Sequence, residues 1–536
     1  MGVTLDGGKA GAKVEMGAKV ETGRMAPLFT GPEWDYDKLR VVYEAIETIA
    51  LGELGLDVYP TQIEVITSEQ MLDAYASVGL PLMYRHWSFG KSFAYNEALY
   101  RKGLQGLAYE IVINSNPCLC YIMEENSMTM QTLVIAHAAF GHNHFFKNNY
   151  LFQQWTDASG ILDYLAFARD YVAHCEERHG VERVERVLDA AHALMDQSVN
   201  RYARRARLNF QEEQKREKER RAHEEATFND LWRTVPTKAA LDGLDASEVA
   251  RLKAENARRF GLPEENLLYF MEKHAPVLEG WERELCRIVR NVAQYYYPQK
   301  QTKMMNEGCA TFVHYEIMTR LHEKGYLTDG AMLEFLHSHT SVVFQPDYDD
   351  PRFSGINPYA LGFAMMSDIK RLCTEPTEED RQWFPDLAGN GDPYGTLRAA
   401  WANYRDESFI LQFLSPHLMR KLRLFRVRDD AAEPNMRVDA IHDETGYREL
   451  RAALARSYDL SRREADIQVV DVDMAGDRTL VLRHTVHDGI LLDEKSAQSV
   501  LRHIAALWGY GVRLDEVDYT SEKQLKSHEI SGRRGP

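Results

Sequence analysis

Apolar residues between Tyr36 and Leu51 recur at helical spacing, and residues 128–207 do so almost without a break. A second helical block is expected over 263–343, continued by Asn357–Cys373 and Pro385–Leu414. Between the first helix and the first block, Leu107–Ile113 and Cys118–Met123 are short apolar runs of strand length. Asn114-Ser115-Asn116-Pro117 between them is a turn signal, so the pair reads as a β-hairpin. Asn126 or Ser127 then stands where the cap of the next helix is needed.

Near Phe425 the pattern changes. Val438–His442, Ile467–Val472, Thr479–His484 and Gly511–Leu514 read as strands, with helices over Tyr447–Ala455 and Ser496–Trp508. The expected fold class is α+β. A large, predominantly helical N-terminal domain with a β-hairpin covers 26–425, and a small C-terminal α/β domain covers 426–518. Residues 1–25, with the near-repeat Ala-Lys-Val-Glu-Met-Gly-Ala-Lys-Val-Glu-Thr-Gly, are expected to be a disordered tail. Residues 519–536 are expected to be a flexible one. A charge-dense helix over 204–226 reads as a solvated face laced with i,i+4 pairs.

Composition narrows the class of function. The chain has 536 residues, 44% of them hydrophobic, enough for more than one globular core. A net charge of −17 argues against general nucleic-acid binding and against docking on anionic lipid. Neither a secretory leader nor an apolar run of ~20 residues is present, so a cytoplasmic protein without membrane insertion is expected. The six cysteines are sparse, form no Cys-x-x-Cys pair and read as reduced packing residues.

The chemistry is concentrated in Val134–Phe146. His137, His142 and His144 lie within an apolar helical run that must be buried, and buried imidazoles need hydrogen bonds or a metal. Met305–His314 adds Glu307 and His314 in a similar setting. On a regular helix His137 faces the same way as His144, whereas His142 stands about 140° round the axis. A π-bulge, eased by Gly141, would instead bring His137 and His142 to one face. The spacing leaves both pairings open. Two histidines with Glu307 would make three ligands for a divalent metal, zinc first, with room for water. His314 would be a fourth ligand or an acid/base group. Glu124 and Glu125, just before the helix, are the candidate bases toward a metal-bound water. His174, His179, His192, His337 and His339 read as ordinary satisfied histidines.

The strings His86-Trp87-Ser88-Phe89-Gly90-Lys91, Gly106–Pro117, Met123-Glu124-Glu125-Asn126, Ile135-Ala136-His137, Gly141-His142-Asn143, Asn306-Glu307-Gly308, Ser338-His339-Thr340 and Gly355–Gly362 resemble the SpoVR (stage V sporulation protein R) family. The resemblance runs from about Pro27 through nearly the whole chain. It implies a cytosolic protein linked to sporulation, through the peptidoglycan spore cortex, or to stress response. It also implies association with a PrkA-type serine kinase and a von Willebrand A-like partner. His137, His142, Glu307 and His314 match the family pattern, while His144 stands where other members carry a small polar residue. The resemblance therefore favours the distorted helix.

A second, weaker likeness is to gluzincin metalloproteases, where a His-Glu-x-x-His helix gives two zinc ligands and an Asn-Glu-Gly-x-Ala helix the third. It would make the large domain zincin-like. Here four residues separate His137 from His142, Ala138 replaces the glutamate base, and Glu307 is unusually distant in sequence. Two functions are therefore expected side by side. One is a metal-dependent hydrolase of peptide, amide or peptidoglycan-related substrates. The other is a non-enzymatic regulator in a kinase-linked complex.

Overall fold

The computed structural model describes residues 26–76, 83–101, 109–201, 251, 254, 257, 258, 260–347, 350–424, 427, 428, 437, 438, 443–474 and 477–532. The expected N-terminal tail, the charged helix over 204–226 and the expected boundary at 425/426 lie outside them. The chain is mainly helical with small mixed sheets, and it forms two compact units. Each unit is discontinuous in sequence: one takes residues 1–167 and 298–459, the other 168–297 and 460–536. Local pattern does not reveal such an interleaving, whose limits fall after residues 167, 297 and 459.

In the first unit, the helix Tyr36–Gly52 starts at Asp35, whose carboxylate accepts the Lys38 N–H. Leu39, Val42, Ile46, Ile49 and Ala50 form its buried stripe. A three-stranded sheet follows, of β1 (Thr61–Ile66), β2 (Glu110–Ile113) and β3 (Cys118–Met123), in the order β1-β3-β2. The expected hairpin is present: β2 runs antiparallel to β3, with Glu110 opposite Ile122. β1 pairs with β3 in parallel, and every residue of β3 is buried, which explains its continuous apolar run.

Ser127 accepts the Met130 N–H and starts a helix that runs as α over Met128–Ile135, as π over Ala136–His142 and as α again over Asn143–Asn148. The helix Lys303–Glu323 packs along the π segment and also against Pro358–Thr374. The Asp406 carboxylate accepts the Met304 and Met305 N–H groups at the start of Lys303–Glu323. Burial pushes its carboxyl up to about 7. Farther along the chain, β4 (Val427–Arg428) pairs with β5 (Arg437–Val438). The helix Glu444–Tyr458, expected in a C-terminal domain, belongs to this first unit and packs on Asp406–Phe413.

The second unit holds β6 (Asp466–Val472), β7 (Leu480–Val486), β8 (Val512–Asp518) and β9 (Gln524–Ile530) in sequential order. β7 and β8 are parallel and joined by the helix Glu494–Trp508, while the outer pairs are antiparallel. β9 corrects the expected flexible tail: its polar side chains hid a strand that pairs along β8. The helix Glu494–Trp508 packs on Val181–Ala193, and Glu264 bridges to Val469. Each of the six cysteines is a free, buried thiol. Among the described residues no helix is long and apolar enough to cross a membrane.

One ion pair in the first unit carries a pH prediction. Arg371 holds Asp380 through two hydrogen bonds of 2.6 and 3.0 Å, and Thr377 completes a capping box around the same carboxylate. Burial raises the Asp380 carboxyl, but Arg371 and Thr377 outweigh it and bring it down to about 2. A depressed carboxyl contributes stability above its ordinary value of 3.8 and loses it as pH falls toward 2. Asp380→Asn is therefore expected to lower unfolding stability by about 2 kcal/mol at pH 7. In urea titrations that deficit should shrink below pH 4, and a deficit that stays constant down to pH 3 would contradict the assignment.

Candidate metal centre

The π segment decides which histidines meet. A π-helix bonds i to i+5, so five residues make little more than one turn, and His137 and His142 arrive on one face. Their rings lie 4.6 Å apart and nearly perpendicular. Gly141 permits the close approach behind them, since a Cβ there would stand 2.5 Å from Ala310 Cα. The π turn and the burial of both imidazoles are locally unfavourable, and π turns of this kind recur at functional sites.

Two carboxylates face the rings. His137 Nε2 lies 3.6 Å from Glu110 Oε1, and His142 Nε2 lies 3.7 Å from Glu307 Oε2. Such separations are long for hydrogen bonds. They are close to the roughly 3.3–3.4 Å expected between two ligands of one tetrahedral zinc with bonds of about 2.0–2.1 Å. Ligand atoms of Glu110, His137 and His142 all lie within 4.8 Å of one another. The Nδ1 atoms are engaged outside the cluster: His142 Nδ1 lies 2.9 Å from Asn306 Oδ1, and His137 Nδ1 lies 2.9 Å from His314 Nδ1. The Asn306 oxygen can only accept, so it fixes the His142 proton on Nδ1 and leaves its Nε2 bare toward the cluster. His142 also stacks on Phe146.

The electrostatics fit a cation-binding cluster. Burial, with the Glu307 charge adding to it, pushes the Glu110 carboxyl up to about 8. Burial also holds His137 well below its ordinary value, with His142 and His314 contributing. It does the same for His314, with His339 and His142 contributing. Neutral imidazoles are the ligand form, and a divalent cation would offset two crowded carboxylates.

Of the residues singled out in the sequence, the fold gathers His137, His142 and Glu307, with His314 directly behind His137. His144 points elsewhere. Its Nδ1 meets the backbone N–H and C=O of Asp57, its ring packs on Trp401, and burial takes it down to about 4. Glu124 and Glu125 stand exposed in the turn after β3, where the Glu125 side chain accepts the Ser68 N–H. The turn directs both outward, and the carboxylate that reaches His137 comes from β2 instead. Glu110, Asn306 and His339 were not singled out as site residues. Glu110 had one signal, as the lone charge in the apolar run Leu107–Ile113. Asn306 had its place beside Glu307, and His339 had none beyond its Ser-His-Thr string.

The chain matches the family model described as "SpoVR like protein" over residues 33–463 and the "SpoVR-like C-terminal domain" over residues 465–519. It is 55% identical over 489 residues to a protein of Escherichia coli (strain K12) named "Uncharacterized protein YcgB", covering 91% of this chain and 94% of that protein. No solved structure matches. With both models matched in order and a relative this similar along almost its whole length, the chain belongs to the SpoVR family.

Proposed function

We propose that this protein holds one divalent metal, zinc in the first instance, between His137, His142 and Glu110, with Glu307 beside it, and that the centre is hydrolytic. The observation that carries the proposal is the π turn, which sets two imidazole Nε2 atoms 3.6 and 3.7 Å from two carboxylates of different elements. When bound, the metal would supply Lewis acidity and a water of lowered pKa. The chain's own groups would do the rest. Asn306 and His314 orient the ligating rings. The carboxylate not bound to the metal accepts the proton of the attacking water. In zincin-like terms, the two histidines keep their roles, Glu110 from β2 takes the third ligand place, and Glu307 of the Asn-Glu-Gly segment stands as the base that Ala138 does not supply. Peptide, amide or peptidoglycan-related bonds are the substrate class, in keeping with the sporulation link in the family's name.

One observation favours a second reading. Four side-chain donors around one ion would close the centre, as in structural zinc sites. The protein would then be a regulator with a metal-stiffened core, working with a PrkA-type kinase and a von Willebrand A-like partner in the cytoplasm. Elemental analysis of untagged protein is expected to give near-stoichiometric zinc, iron or manganese, falling to background in His142→Ala and Glu110→Ala with the circular dichroism unchanged. A well-folded wild type without metal would end both readings. Metal without turnover of peptides or muropeptides would leave the structural one.

A further inference from the structure

Behind the two ligating rings lies a row of histidines that the metal itself does not require. His137 Nδ1 is 2.9 Å from His314 Nδ1, and His314 Nε2 is 3.0 Å from His339 Nδ1. All three rings are buried, on three different helical segments: Ala136–His142, Lys303–Glu323 and Asp329–Val342. Aromatic neighbours hold them. Phe335 meets the His314 ring edge-on, while Tyr315 and Phe363 pack against His339.

We propose that His314 and His339 are positioning residues, forming with His137 a directed chain of imidazoles that fixes which nitrogen His137 offers to the metal. This rests on the metal reading above and deepens it. A neutral imidazole carries one N–H and one acceptor nitrogen. If His137 presents a bare Nε2 to the cluster, its proton is on Nδ1 and is donated to His314 Nδ1. His314 then carries its own proton on Nε2 and donates it to His339 Nδ1. One requirement at the head of the row thus sets three tautomers. The row could also run in the opposite sense, but that would put an N–H on His137 Nε2, aimed at the ligand position. A bound cation selects the first sense. Both nitrogens of His314 are then committed within the row, which excludes the fourth-ligand role, one of the two that the sequence left open for it.

The test compares zinc affinity, by chelator competition, for wild type, His314→Asn, His314→Leu and His339→Leu. X-ray absorption counts the imidazoles on the bound zinc. His314→Leu removes the acceptor and is expected to weaken zinc about 10–100-fold, as loss of an outer-sphere partner of a ligating histidine does. His314→Asn places an amide oxygen near the lost Nδ1 and is expected to recover most of that affinity. His339→Leu, one ring farther out, should lose a few-fold. The count should be two imidazoles in wild type and in all variants. Equal affinity for His314→Leu and His314→Asn would overturn the proposal, because packing alone does not distinguish an acceptor. So would a count of three in wild type falling to two in either His314 variant, which would make His314 a ligand. A wild type that binds no zinc fails at the first titration and overturns the metal reading itself.

Discussion

Stripped of metal, the Glu110→Gln variant is expected to be more stable than stripped wild type above pH 8, by an amount on the order of 4 kcal/mol. It is also expected to bind zinc far more weakly. The first half follows from the apo electrostatics. The Glu110 carboxyl is pushed up from 4.5 to about 8, chiefly by burial and further by the Glu307 charge. An acid whose folded-state pKa is raised gives stability that is fully present below its unfolded value. That stability is lost as pH rises through the folded one. Stripped wild type should therefore weaken from about pH 4.5 to about pH 8, while glutamine, always neutral, removes this component. Asp406, pushed up to about 7, titrates in the same window, but it is common to both proteins and cancels in the difference. The second half follows from position. Glu110 faces His137 Nε2 directly, so its loss should exceed the 10–100-fold typical of outer-sphere partners. Urea midpoints of EDTA-treated protein from pH 5 to 9, with zinc titrations at pH 7.5, measure both. Parallel pH profiles for the two stripped proteins would show that the carboxyl is not desolvated as described. Such opposed effects mark a residue kept for function at the expense of stability.

Gly308→Ala is expected to destabilise the first unit by about 3 kcal/mol, at the upper end of overpacking effects, and to disturb the metal centre with it. A Cβ on Gly308 would stand 2.6 Å from Gly362 Cα and 2.7 Å from the Gly362 carbonyl carbon. Both are backbone atoms in the facing helix and cannot rotate aside. The helices Lys303–Glu323 and Pro358–Thr374 must separate instead, and the first of them carries Asn306, Glu307 and His314. Gly330→Ala is the control. It lies in the helix Asp329–Val342, its nearest neighbour is Thr328 Oγ1 at 3.8 Å, and alanine there should stabilise by roughly 0.5–1 kcal/mol. Chemical unfolding followed by intrinsic fluorescence separates the two signs. A Gly308→Ala protein with the wild-type midpoint and full zinc content would refute the close approach.

Legibility in the sequence divided by range of interaction. The helices Tyr36–Gly52 and Lys303–Glu323 and the β2–β3 hairpin were readable because periodicity and the Asn114–Pro117 turn are local signals. β1 was not, because its parallel partner β3 comes more than fifty residues later and no turn announces the pairing. β9 was missed because an edge strand with polar residues at most positions lacks an apolar alternation. At the site, the residue types were legible and their partners were not. Helical spacing offered His144 and His142 equally to His137, and only the family resemblance favoured His142. Packing of Gly141 on Ala310 goes with the π turn, and the Asp57 backbone claims His144. Glu110 reaches the centre only because β2 sits at the sheet edge beside the π segment, which is tertiary information.

The interleaved units also set a timetable. The 162 residues between Tyr297 and Leu460 (459 − 297) all belong to the first unit. At about 5–20 residues per second of synthesis, residues 168–297 wait roughly 8–30 s on the ribosome for the strands that complete their unit. Through that interval the helix Val181–Ala193 lacks Glu494–Trp508 across its apolar face, and Glu264 lacks Val469. The newborn chain therefore carries an unfinished second unit while the first unit closes, which makes the segment from Leu460 onward the natural trigger for release from any chaperone that covers it.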